Sequence, residues 1–185
     1  MGIIREPTPA KLFLAVMHRP GFDPGPLLTQ LIERYGPVDC RCAAYHFGSS
    51  YYEPEMGTGL LKFLVSFAQL VPQERLAHVK RETNELERDW AEAHGRVYNL
   101  DPGIITHYSV VLATTKGYAH RIYLGAGIYA EPALLFRRGG LDPLPWTYPD
   151  YQTPATDAFF REARRRLLEQ PADSRNSTAQ TMGVP

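Results

Sequence analysis

The amino-acid sequence predicts an α+β fold: a mainly antiparallel sheet of about six strands with two or three helices, its N-terminal half arranged like a split βαβ unit. Short apolar runs bounded by Pro and Gly alternate with helical patterns in the first half. The second half is strand-rich and contains a glycine-flanked hairpin turn, Gly125-Ala126-Gly127. A last amphipathic stretch closes the domain.

Residues 11–17 (KLFLAVM) read as a buried strand, bounded by Pro9 and by His18-Arg19-Pro20-Gly21. In residues 23–36, Leu27, Leu28, Leu31, Ile32 and Tyr35 recur at helical offsets. Asp23 is the expected N-cap, Pro24 the first helical residue, and Gly36-Pro37 the stop. Residues 38–47 read as one strand, 48–59 as a loop and 60–71 as a central strand. Pro72 opens a second helix to about Ala93, with Leu76, Val79, Thr83, Leu86 and Trp90 inward and the charged remainder as a solvated face. Residues 96–100 form a short strand that ends at the turn sequence Asp101-Pro102-Gly103. Strands over 109–115, 120–124 and 128–136 follow, then an aromatic, Pro-rich loop over 139–151. A final helix over 157–169 turns Phe159, Phe160, Ala163 and Leu167 inward. Residues 1–10 are expected to be a flexible arm, 11–170 one domain, and 171–185 a disordered tail.

Lys+Arg and Asp+Glu both number 20, so the formal net charge is zero. That balance argues against nucleic acid as a partner, because such binders carry a basic excess. No apolar stretch approaches the ~18 residues of a transmembrane helix, and the start lacks the basic and apolar regions of a secretory signal. No membrane partner and a cytoplasmic location are the resulting expectations. Cys40 and Cys42 are too close in sequence for a disulfide and too few for a zinc site, so two small core residues on one strand face are expected.

Several ordered motifs carry a resemblance. They include Glu55-Met56-Gly57, Thr83-Asn84-Glu85-Leu86-Glu87, Asn99-Leu100-Asp101-Pro102-Gly103, Leu112-Ala113-Thr114-Thr115-Lys116, His120-Arg121-Ile122-Tyr123-Leu124-Gly125 and Pro145-Trp146-Thr147-Tyr148-Pro149-Asp150-Tyr151. Together they resemble an uncharacterised bacterial family, domain of unknown function 4416, over residues 10 to 165. The resemblance implies membership and no mechanism. The chain has no G-x-x-x-x-G-K-[ST] phosphate loop, and Gly57-Thr58-Gly59 precedes a strand-like run rather than a helix.

Chemistry concentrates in residues 99–131. Strand alternation places Arg121, Tyr123, Tyr129 and Glu131 on one face of the last hairpin. Such a face either orients an anionic ligand, through the guanidinium fork and tyrosine donors, or is a solvated sheet face with an Arg–Glu pair. Asp101, Lys116 and His120 stand at strand ends, where acid–base groups or simple turn residues belong. Trp146 and Tyr148 are either a stacking lid or an apolar plug. His107-Tyr108-Ser109 matches half of the paired motif of two-histidine phosphoesterases, without its second copy. Asp39, His46, Glu53, Glu55 and Asp101 have no metal-ligand spacing, and no cofactor is implied.

Two function classes follow. One is a protein that binds, or acts on, a small anionic or nucleotide-like ligand at Asp101, Lys116, His120, Arg121, Tyr123, Glu131 and Trp146. There Arg121 and Lys116 take the anion, His120 or Glu131 moves a proton, and the aromatics stack. The other is a non-catalytic interaction module, a homodimer formed through an edge strand or the aromatic loop.

Overall fold

A computed structural model describes residues 2–170. The tail expected at 171–185 lies outside the described residues. Among the described residues nine strands form one antiparallel sheet, larger than the six expected, with four helices. In chain order these are β1 (Ala10–His18), α1 (Gly25–Tyr35), β2 (Val38–Arg41), β3 (Tyr45–His46), α2 (Glu53–Met56), β4 (Leu61–Val71), α3 (Leu76–Asp89), β5 (Tyr98–Ile105), β6 (Ser109–Thr114), β7 (Ile122–Gly125), β8 (Ile128–Arg137), β9 (Gly140–Pro143) and α4 (Pro154–Glu169). The order across the sheet is β2-β4-β1-β5-β6-β8-β7, with β3 beside β4 and β9 beside β8.

This order interlocks two split βαβ units. The strands β1 and β2 flank β4, and β4 and β5 flank β1, each pair joined through a helix. The central β1 is buried along its whole length, so both sheet faces are covered. Phe13 points to one face and meets Phe159 and Phe160 of α4 edge-on, at 6.4 and 5.3 Å. His18, of opposite parity, shares its face with Tyr98. There Tyr98 contacts Trp90 after α3 and donates to the Asp23 carbonyl before α1. The helices α1 and α3 therefore cover one face and α4 the other.

Several expected boundaries move. The single strand over 38–47 is two, β2 and β3, because residues 42–44 leave the ladder although the Cys42 N–H still reaches Leu64. Asp23 does not cap α1 as an N-cap; its carboxylate accepts from the Gly25 N–H, one residue before Pro26 enters the first turn. A 3-10 turn over Gln73–Arg75 precedes α3, which stops at Asp89. The 48–59 loop contains α2, and the 139–151 loop contains β9, a hairpin partner of β8. Most consequential, Asp101-Pro102-Gly103 is not a turn: β5 runs straight through it, paired to Ala15, Leu14 and Phe13. Between β7 and β8 the turn residues Ala126 and Gly127 both have positive φ, as a two-residue type I′ hairpin requires.

Gly103 marks the closest approach in the core. A Cβ there would run into the Phe13 ring and lie 2.7 Å from the Val111 carbonyl oxygen. Gly103→Ala should therefore destabilise the domain by on the order of 2 kcal/mol through overpacking. Urea denaturation, read as a shift in midpoint at constant slope, checks this.

Candidate functional site

The site begins with a missing hydrogen bond. The β5–β6 ladder pairs Ile105, Ile104 and Gly103 with Val110, Val111 and Leu112, and then stops at Pro102. The Leu100 N–H points away from β1, toward Glu87, so the Pro102 nitrogen two residues on faces the same side. That nitrogen has no hydrogen to give. Beyond it β6 continues along β8 and the sheet opens. Side chains from α3 take over the exposed β5 edge: Glu87 accepts from the Leu100 N–H at 2.7 Å, and Lys80 donates to its carbonyl at 2.8 Å.

These two residues belong to the face of α3 expected to be solvated. Instead Lys80 is 5% and Glu87 6% exposed. They are seven residues apart, two helical turns, and flank the apolar stripe of Val79, Thr83 and Leu86.

The opening is a cleft of about 990 Å³. Its floor is set by strand alternation. Met17 of β1 lies between Asn99 of β5 and Lys62 of β4, and Lys62 is paired with Tyr45 of β3. The next row is Asp101, Ala15 and Leu64. The small Ala15 leaves room above it. Opposite charges alternate here: Lys80 Nζ is 3.1 Å from Asp101, and Lys62 Nζ is 2.6 Å from Asp150, which also accepts from Tyr45. Arg96 joins Glu55 and Glu87 at 2.6 and 2.9 Å. Phe47 and Tyr52 add aromatic walls, and Tyr151 lies deep in the cleft beside Lys62.

Burial by itself would raise the pKa of the Asp101 carboxyl. Lys80, Lys62 and the Asn99 amide outweigh it and hold the carboxyl below its usual range. Burial pushes Glu87 the other way, upward, against Lys80, the Leu100 N–H and Arg96. For Arg96 burial favours the neutral form, but the two glutamates prevail and the guanidinium titrates above its ordinary value. Burial and the nearby carboxylates of Asp150 and Asp101 push the Tyr151 phenol well up.

Of the residues expected from sequence, Asp101, Lys116, Arg121 and Glu131 line the cleft together. Arg121 Nε donates to Glu131 at 2.6 Å, and this pair is buried rather than solvated. The same guanidinium donates to the Lys116 carbonyl at 2.8 Å, joining the two basic residues at the mouth. Lys116 lies over the Tyr51 ring and donates to its hydroxyl. His120, Tyr123 and Trp146 stand outside the wall. His120 bonds Glu131 from behind, at 2.9 Å, and stacks on Trp146 with centroids 4.4 Å apart. Trp146 is pinned by its indole N–H to the Pro132 carbonyl, so it is a plug and not a lid; Tyr148 lines the cleft in its place. Tyr123 packs on Tyr129, half out of the fold. His107 lies between β5 and β6 and does not line the cleft.

Sequence reading missed Lys62, Lys80, Glu87, Arg96, Asp150 and Tyr151. A lone Lys62 inside the apolar run of β4 was a usable signal, since lysine is rarely buried unless paired. Nothing local marks Asp150, whose partners Lys62 and Tyr45 are 88 and 105 residues away.

One family model, Domain of unknown function (DUF4416), matches residues 8–167, a span that includes every residue of the cleft named above. The chain belongs to the DUF4416 family. No curated protein and no solved structure matches it. In this DUF4416 member, no group of three His, Cys, Asp or Glu side chains suited to a metal ion occurs among the described residues.

The folded Asp101 carboxyl titrates below its unfolded value of about 3.9. Its contribution to stability is therefore present above that value and is lost as pH falls through the lower folded one. Asp101→Asn should lower the melting temperature at pH 7 and flatten its decline below about pH 4. Thermal melts across pH 2–7 check both.

Proposed function

We propose that the cleft binds a small anionic ligand, with Lys116 and Arg121 holding the anion at its mouth. One observation carries this reading. The cleft's deeper lysines, Lys62 and Lys80, are paired with carboxylates, whereas Lys116 has no carboxylate partner among the described residues. It sits beside a guanidinium whose planar fork suits phosphate or carboxylate. Tyr51 and Tyr148, both well exposed, supply aromatic faces for the rest of the ligand. Free thiols at Cys40 and Cys42 accord with a reducing, cytoplasmic setting, and among the described residues no helix is long and apolar enough to cross a membrane.

A second reading, a homodimer, draws on another surface. The end strand β7 exposes three successive apolar residues, Ile122 (65%), Tyr123 and Leu124, beside an unpaired edge. Light scattering at high concentration tests it: a strict monomer removes the reading, and a dimer that Ile122→Lys dissociates supports it.

Ligand that binds only the folded state raises the melting temperature, with ~2.7 kcal/mol of stabilisation at a hundred times Kd. Inorganic phosphate and pyrophosphate should shift the melt, and Lys116→Ala should abolish the shift without altering the unliganded melt. Arg121→Ala is a poorer test, because stranding the buried Glu131 costs about 3 kcal/mol by itself. No shift with either anion would remove the reading.

A further inference from the structure

The floor of the same cleft carries three oxygens that no described residue bonds. Tyr151 is only 2% exposed, lines the cleft, and its hydroxyl makes no hydrogen bond among the described residues. Glu131 is as deeply buried, yet both His120 and Arg121 bond its Oε2, and no described residue bonds Oε1. Asp150 repeats the pattern: Tyr45 and Lys62 both bond Oδ2, and Oδ1 is left. Among the described residues, the only fully enclosed side-chain polar atom without a partner is His107 Nε2. The three oxygens are not enclosed in this way, and their residues all line the cleft. Tyr151 and Glu131 are more than nine-tenths buried, and unpaired polar atoms at such depth are costly unless something bonds them.

Their chemistry limits what that is. An ionised carboxylate oxygen only accepts, so the occupant must bring hydrogens to donate. An ammonium would do so, but Lys62 and Lys80 already stand at this floor, within 2.6 Å of Asp150 and 3.1 Å of Asp101. A third cation would have to share carboxylates that the lysines already neutralise, and would lose its own hydration on entering. Neutral hydroxyls avoid that cost. They donate to Glu131 and Asp150 and accept from the Tyr151 hydroxyl and from the remaining N–H groups of the lysines, each of which has three donors. A flat heteroaromatic base has fewer such groups and would strand several of these atoms.

Resting on the reading of the mouth as an anion site, we propose that the ligand is an anionic polyhydroxylated molecule, a sugar phosphate or sugar acid. Its charged end lies at Lys116 and Arg121, and its hydroxyls reach Tyr151, Asp150 and Glu131. Selectivity for the class lies in the floor and affinity for the anion in the mouth.

Isothermal titration calorimetry of the full chain with ribose 5-phosphate, gluconate, inorganic phosphate, ribose and adenosine monophosphate tests this. Ribose 5-phosphate or gluconate should bind at least about tenfold more tightly than inorganic phosphate, the scale of one or two added hydrogen bonds. The better of the two identifies the charged group. Tyr151→Phe removes only the unpartnered hydroxyl, so its unliganded melt should match the parent. It should lose much of the sugar advantage while keeping the affinity for phosphate. Phosphate binding with no gain from the sugar would overturn the floor assignment and leave the anion site standing. Tighter binding of adenosine monophosphate than of ribose 5-phosphate would overturn it in favour of a base. Absence of binding by every anion would overturn both readings.

Discussion

Pro102 has no amide hydrogen, and the architecture of the cleft follows from that. A continuous β5–β6 ladder would have sealed the sheet by pairing Pro102 with Ala113 and Asp101 with Thr114. Instead pairing stops at Gly103, and the strand edge at Leu100 is left to side chains. Backbone polar groups buried without partners are not tolerated in a stable fold. Lys80 and Glu87 meet that demand from α3, and by doing so they carry charge from the helix-covered face of the sheet to the cleft. An irregularity in one strand thus recruits a lysine and a glutamate into the interior.

Once charges are inside, each must be answered. Lys80 and Lys62 are answered by Asp101 and Asp150, Arg96 by Glu55 and Glu87, and Arg121 by Glu131. Such pairs add little net stability over an apolar core, but breaking one is expensive, so they hold their geometry firmly. The walls are anchored in the same spirit. The bulge that places Pro132 opposite Val111 turns two carbonyls toward the 144–147 loop, where Trp146 and Thr147 bond them. That loop in turn leads to Tyr148 at the side of the cleft and to Asp150 and Tyr151 beside Lys62 at its floor. The result is a rigid, charge-balanced cavity whose departures from balance, Lys116 at the mouth and three bare oxygens at the floor, are the features a ligand would read.

Much of this was legible in sequence and some was not. The apolar run of β1, the stripes of α1 and α4 and the turn at Ala126-Gly127 follow from local pattern, because periodicity reports which side of an element faces a core. Arg121 and Glu131 were placed on one face by strand alternation alone, and they do meet. Asp101-Pro102-Gly103 was misread because its residues are turn formers wherever packing is silent. Here β1 supplies a full row of partners, Ala15, Leu14 and Phe13, and the tertiary pairing overrides the local preference. The solvated reading of α3 failed likewise: Lys80 and Glu87 are charged, and only the gap beside them makes a buried position acceptable.

By itself the sequence determined the α+β class, the family, the helix faces and the basic pair at Lys116 and Arg121, since each depends on residues close together in the chain or on ordered motifs. The tertiary structure decided where the sheet opens, which charges enter it, and that Trp146 is a plug while Tyr151 faces the cleft. Those outcomes depend on pairings across 13 to 105 residues. No local pattern records them, because the partner that makes a buried charge or an open strand edge stable is supplied from elsewhere in the chain.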